Sequence, residues 1–262
     1  MEFHWEDSRI VFDVHPGVDA WFSTRLGGVS VPPLESLNLS FGVGDDPANV
    51  AENRRRILAL AGRSLSELVM PRQVHGNHIE WVDQDARGRG ALGPGGIDRT
   101  DGFLTTETSL VLGMGFADCV PLFMADEAAR VVGIFHAGWR GTAAQIQRQA
   151  IRQFKAHGID PGSVLVGIGP AIGPCCYEVD EPVRNAIVAV AGATPLVPKD
   201  ETHWWLDLAL ANRIILEKSG VPAEHIVAAP WCTGCRPDLF YSYRIEGPKT
   251  GRMGGYICLK SR

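Results

Sequence analysis

The sequence predicts a chain of mixed strands and helices built around one sizeable core. Three observations carry this. Short β-branched and aromatic runs alternate with turn residues, longer stretches open on a capping residue with proline and close on glycine, and apolar residues make up 45% of 262 positions against 21% charged. Taken in order, Trp21 to Ser30 reads as a strand entering the Gly27-Gly28 turn, with a loop from Pro32 to Asp46 after it. Asp46-Pro47 then caps a helix predicted to run to Ala61 and stop at Gly62; Val50, Ile57 and Ala61 share its apolar face. Arg54, Arg55 and Arg56 are expected on its solvated face. His75 stands just before a strand at Ile79 to Val82. The stretch Gly88 to Gly96 has five glycines and is expected to be a mobile surface loop acting as a lid. Strands follow at Phe103 to Thr106 and Leu110 to Phe116.

Val120 to Ala125 and Val131 to Phe135, parted by the turn-like Asp126 to Arg130, are predicted to pair as an antiparallel hairpin. Cys119 precedes the first strand and His136 follows the second, so pairing sets thiol and imidazole side by side at one rim of a sheet. Beyond them, Ala143, Ile146, Ala150 and Phe154 fall at helical spacing. A strand at Val164 to Ile168 ends in a loop stiffened by Pro170, Gly173 and Pro174. One helix starts at Asp180 or Glu181 with Pro182 and stops at Gly192, and another is capped by Asp207 and ends at Gly220. Strands at Ile226 to Pro230 and Tyr256 to Lys260 complete the chain, which is expected to form one domain over residues 1–262.

The formal charge of −5 is spread rather than blocked, which argues for small-molecule partners and against nucleic acid. The first residues lack a basic start and a long apolar run, and no stretch reaches the ~18 apolar residues of a membrane span. A cytoplasmic protein with reduced thiols is expected, as a monomer or small homo-oligomer. Its six cysteines are therefore candidates for metal binding, catalysis or packing before disulfides. Cys232-x-x-Cys235 shows no second ligand pair at zinc-finger spacing, and the adjacent Cys175-Cys176 is read as packing. His75, Cys119 and His136 are a different case. Three such ligands can hold a zinc and leave a fourth position open, while a metal-free Cys119 nucleophile with a histidine base suits the same spacing. The glycine-rich turn Gly138-Trp139-Arg140-Gly141 before a helix is a natural anion seat, with Arg140 supplying charge.

Several phrases resemble the YfiH family in matching order along nearly the whole chain: Thr24 to Ser30, Gln73-Val74-His75-Gly76, Ala117-Asp118-Cys119-Val120-Pro121, His136-Ala137-Gly138-Trp139-Arg140-Gly141, Gly169 to Gly173 with Tyr177-Glu178-Val179, and Ser242-Tyr243-Arg244 with Thr250-Gly251-Arg252. The family was long labelled polyphenol oxidase or laccase-domain protein and is now described as purine nucleoside phosphorylase with adenosine deaminase activity. The resemblance implies an α/β fold with a central β-sandwich flanked by helices, in α-β-β-α layers, akin to Cys-His hydrolases such as the necrotizing-factor deamidases. It implies that His75, Cys119 and His136 ligate zinc. The chain departs from the family pattern at Phe41-Gly42, where a histidine is usual, and at Ile245, where a second arginine is usual.

The laccase label fits the composition poorly. A multicopper oxidase gathers its coppers with more histidines than the eight present, in HxH pairs that this chain lacks. Phenol oxidation by copper at the three-ligand site stays as a minor reading. The expected function is zinc-dependent phosphorolysis of adenosine, inosine, guanosine or methylthioadenosine, with deamination of adenosine as a second activity. Arg140 is the first candidate for phosphate, with Arg25, Arg244 and Arg252 behind it. Asp118 is a candidate proton carrier at adenine C6 or, equally, a residue orienting the ligand loop. The rival classes are a Cys-His amidase or peptidoglycan-precursor editing hydrolase at the same pocket, and a binding module without catalysis.

Overall fold

The computed structural model describes residues 1–260. Alternation of side chains along the strands decides how the layers stack. In Val120–Asp126, Leu122 and Met124 point to one core while Phe123 and Ala125 point to another. Val111–Phe116 divides likewise, with Leu112, Met114 and Phe116 on one face and Val111 on the other. Both faces of both strands are apolar, as expected of sheets covered on each side.

Two six-stranded sheets result. The first runs Glu2–Glu6, Arg9–Asp13, Val18–Ser23, Met253–Leu259, Val111–Phe116, Leu68–Val69 in spatial order. The second runs Ile226–Ala228, Val164–Ile168, Val120–Asp126, Val132–Ala137, Gly102–Thr105, Ile79–Trp81. Their inner faces meet in a core that includes Phe12, Phe22, Phe116 and Ile257 from one sheet and Phe103, Phe123 and Ile134 from the other. Each of these side chains contributes about 1.5–3 kcal/mol by leaving water. Outside the second sheet, Ile146–Ala156, Glu181–Ala191 and Leu208–Lys218 bury Phe154, Ile187 and Ile215 against Leu122 and Phe135. Outside the first, Pro47–Ala59 lays Ile57 and Leu58 on Trp21 and Tyr256. The α-β-β-α sandwich expected from the resemblance is the observed architecture. A small three-stranded sheet, Glu178–Asp180, His203–Leu206 and Leu196–Pro198, flanks it. Among the described residues no helix is long and apolar enough to cross a membrane.

Three local expectations are corrected. Arg54 is buried rather than solvated: its Nε donates to Leu39 O at 2.9 Å and its Nη1 to the carbonyls of Gly90 and Ala91. Those bonds also overturn the lid, since they pin the glycine loop, which is held again by Met70 N donating to Arg89 O and Ile97 N to Met70 O. None of the loop lines the cavity described below. Finally, the apolar stripe after His136 forms two helices, Trp139–Ala143 and Ile146–Ala156, because Gln145 between them adopts φ 57°.

Candidate functional site

The hairpin register places the first two site residues. Val120 pairs with Ala137 and Pro121 with His136, so Cys119 comes off one strand beside the end of the other. His75 arrives from the segment after Leu68–Val69. That segment is held by Gln73, whose amide donates to Gly115 O at 2.9 Å and accepts from Gly115 N at 3.0 Å. One nitrogen or sulfur from each of His75, Cys119 and His136 lies within 4.8 Å of the others. The two imidazole rings meet edge to face with centroids 4.8 Å apart.

Asp101 organises this cluster, and sequence reasoning passed over it. Its buried carboxylate accepts from Val74 N, His75 N and Gly76 N at 3.2, 3.0 and 2.7 Å and lies 2.9 Å from His136 Nδ1. Three N–H groups converging on one carboxylate hold His75 at φ 62°, a conformation that costs a non-glycine residue about 1–3 kcal/mol. With Nδ1–H turned to Asp101, His136 directs Nε2 towards the sulfur. The glycines of the His136 to Gly141 phrase have steric reasons. A Cβ on Gly138 would stand 2.8 Å from Cys119 Sγ, and one on Gly141 would stand 2.8 Å from Gly76 O.

Electrostatics follow from this crowding. Burial pushes the Cys119 thiol up, but His136 and then His75 outweigh it and bring the thiol down to about 6. Burial favours a neutral His136, yet the Cys119 thiolate and the Asp101 carboxylate raise it to about 9. Each of the two groups thus favours the charged form of the other. A metal would take the thiolate and the neutral imidazole, so its binding releases any proton these atoms carry.

These residues form one wall of a cavity of about 660 Å³. Arg140, Arg244 and Arg252 line it, as do Trp139, Tyr177 and Tyr243. Arg140 stacks 4.4 Å from the Trp139 ring, and Arg244 lies 4.9 Å from Tyr177 while its Nη1 donates to Glu178 O at 2.9 Å. Arg252 donates to the carbonyls of Thr250 and Gly251. Asp118 also lines the cavity, at φ 85°, with both oxygens engaged: Oδ1 accepts from Thr233 Oγ1 at 2.6 Å and Oδ2 from Arg244 N at 2.7 Å. Arg25 is the exception among the expected anion residues. It is buried away from the cavity lining, with its guanidinium bonded to Glu35 O, Pro237 O and Glu246 Oε1, so its charge is consumed structurally.

A second group was not anticipated. Cys175, Cys176, Cys232 and Cys235 converge, their sulfurs all within 4.8 Å of one another. The ligand pair that Cys232-x-x-Cys235 lacks in sequence is thus Cys175-Cys176, brought from a loop 57 residues earlier (232 − 175).

Residues 19–260 match the family described as multi-copper polyphenol oxidoreductase laccase. The chain is 40% identical over 247 residues to "Purine nucleoside phosphorylase YlmD" of Bacillus subtilis (strain 168), covering 93% of this chain and 89% of that relative. It is 36% identical over 244 residues to "Purine nucleoside phosphorylase YfiH" of Escherichia coli (strain K12), covering 93% and 94%. The crystal structure of YlmD from Geobacillus stearothermophilus superposes with a TM-score of 0.96 at 36% identity, covering 99% of each chain. Sequence and fold agree, and the chain belongs to this laccase-domain family of YfiH and YlmD proteins.

Proposed function

We propose that the chain is a zinc-dependent purine nucleoside phosphorylase with adenosine deamination as a second activity, working in the cytoplasm as one catalytic domain over residues 1–262. The observation that carries the reading is the convergence of His75, Cys119 and His136 with three arginines on one cavity, in a chain whose relatives bear the phosphorylase name. The donor set suits zinc: two imidazoles and a thiolate, spread over a distance that an ion with bonds of about 2.0–2.3 Å gathers, and a histidine whose other nitrogen faces a carboxylate. Bound by His75, Cys119 and His136, zinc would supply Lewis-acid polarisation of a substrate or solvent oxygen.

The chain's own residues account for the rest. In phosphorolysis a phosphate oxygen bonds to ribose C1′ while the C1′–N9 bond breaks and its electron pair leaves with the purine. Arg140, Arg244 and Arg252 supply positive charge for the phosphate as it moves into that bond. The Trp139, Tyr177 and Tyr243 rings offer flat surfaces to a purine. Asp118, with both oxygens occupied, acts as a positioning residue that fixes the Arg244 backbone and the Thr233 loop, which supports the orienting role over proton transfer at C6.

A second reading rests on the lowered thiol of Cys119, which is also the resting nucleophile of a Cys-His amidase or peptidoglycan-precursor hydrolase. Two measurements separate them. Zinc-loaded protein incubated with adenosine and phosphate should yield adenine and ribose 1-phosphate by mass spectrometry, and Cys119 should resist iodoacetamide until zinc is chelated. Inosine alone would leave only the deaminase, and neither product together with turnover of phenols would overturn the assignment in favour of copper oxidation. Rapid alkylation of Cys119 itself in the zinc-loaded protein, located by peptide mapping, would favour the free nucleophile.

A further inference from the structure

Away from the cavity, two loops meet at four sulfurs. One follows the strand Val164–Ile168 and carries Cys175 and Cys176; the other follows Ile226–Ala228 and carries Cys232 and Cys235. The two strands run parallel, so both loops leave the same edge of the second sheet. They stay together through a bridge between Ala171 and Cys232 and a bond from Thr233 N to Ala171 O at 3.0 Å. Cys235 Sγ lies 3.2 Å from Cys175 Sγ and 3.4 Å from Cys176 Sγ, and all four sulfurs fall within 4.8 Å of one another.

We propose that Cys175, Cys176, Cys232 and Cys235 bind a second, structural zinc ion as four thiolate ligands. A tetrahedral site with zinc–sulfur bonds of about 2.3 Å sets its sulfurs roughly 3.8 Å apart, inside the observed spread. A disulfide would select one partner for Cys235, whereas Cys175 and Cys176 stand at nearly equal distance from it and all four thiols are free. Gly173 N donates to Cys232 Sγ at 3.1 Å, the kind of N–H that stabilises a ligating thiolate. Glycine lets the loops approach the cysteines closely: a Cβ on Gly234 would stand 3.1 Å from Cys176 Sγ, and one on Gly173 would stand 3.3 Å from Cys232 Cβ. Ligands from two loops 57 residues apart also suit a structural role, since one ion then ties together two stretches that are distant in the chain.

The ion acts on the cavity at a distance. The first loop carries Ile172 and Tyr177, which line the cavity, and Ile172 N donates to Asp118 O at 3.0 Å. The second carries Thr233, which donates to Asp118 Oδ1. A four-sulfur clamp thus fixes the support beneath Asp118, one residue from Cys119.

The test is metal content of the full chain, expressed with zinc and measured by mass spectrometry. Two zinc ions per chain are expected, falling to one in Cys119→Ser and to one in Cys232→Ser. Cobalt substituted into Cys119→Ser should keep the intense sulfur-to-metal absorption of a four-thiolate site, and cobalt in Cys232→Ser should show only the weaker band of the single Cys119 thiolate. If Cys232→Ser fails to fold, Cys175→Ser, at the exposed rim, replaces it. Stepwise zinc release from the wild-type chain on titration with a mercurial gives a further readout. One zinc per chain that disappears in Cys119→Ser would overturn the proposal, as would four rather than six titratable thiols in the unreduced, denatured and chelated chain. The nucleoside reading stands or falls separately, because Cys119→Ser removes only the first ion.

Discussion

Asp101 gathers three backbone N–H groups of the 74–76 turn and one ring nitrogen of His136 on a single buried carboxylate. It therefore sets the orientation of two of the three donors at once. Partners of this kind behind a ligand are worth about 10–100-fold in metal affinity, so Asp101→Asn should weaken zinc binding by that order in chelator competition. Unchanged affinity would show that the turn holds its shape without the carboxylate. His75, Cys119 and His136 were legible because each sits in a distinctive phrase and the two ends of one hairpin bring the latter pair together. Asp101 was not legible, since a lone aspartate after a glycine-rich stretch reads as a loop residue. Only the pairing of Gly102 with Phe135 sets it beside His136. Arg54 and the Cys175-Cys176 pair went unread for the same reason: their partners, Leu39, Gly90, Cys232 and Cys235, are neighbours only in the folded chain.

At the level of elements, the hairpin that carries Cys119 and His136 depends on its turn. Asp126 is buried there, with Oδ1 accepting from Arg130 N at 2.7 Å and Val131 N at 2.9 Å, and Oδ2 from Arg130 Nε at 2.8 Å. Burial pushes its carboxyl up, but Arg130 and the two backbone donors outweigh burial and hold it below the usual aspartate range. Asp126→Ala leaves these donors unpaired and should cost about 2–3 kcal/mol in urea unfolding at pH 7. A carboxyl depressed in the folded state stabilises above its unfolded value of about 3.9, and that contribution fades as pH falls through the folded value. The gap between wild type and variant should therefore narrow below about pH 4; a gap that stays constant into acid would show that the charge plays no part. This hairpin and the capped helices were readable because their signals are local, as with Asp46-Pro47, Asp180 with Gly192, and Asp207. The break at Gln145 was not, because nothing in the sequence marks a glutamine for a left-handed conformation. The strands Glu178–Asp180 and Leu196–Pro198 are too short for a period-two pattern to register.

On the scale of the whole molecule, the layer order came from family resemblance, while the connectivity that closes it is visible only in the fold. Met253–Leu259, the last strand, lies in the middle of the first sheet between Val18–Ser23 and Val111–Phe116. Neither half of the chain contains that sheet without the other, and the core beneath it is shared with the second sheet through contacts such as Phe12 with Phe123, centroids 6.4 Å apart. The cavity depends on the same closure, since Arg252 enters beside the last strand while Cys119 and His136 come from the opposite sheet. Because the two sheets share that core, thermal unfolding should be one cooperative transition. Far-ultraviolet circular dichroism, tryptophan fluorescence and zinc release from the His75–Cys119–His136 site should share one midpoint. Fluorescence can report from both sides of the sandwich, with Trp21 packed under Pro47–Ala59 and Trp204 beside the helices over the second sheet. Separate midpoints for these probes would mean that the two sheets melt as independent units, and the single catalytic domain proposed over the full length would fall with them.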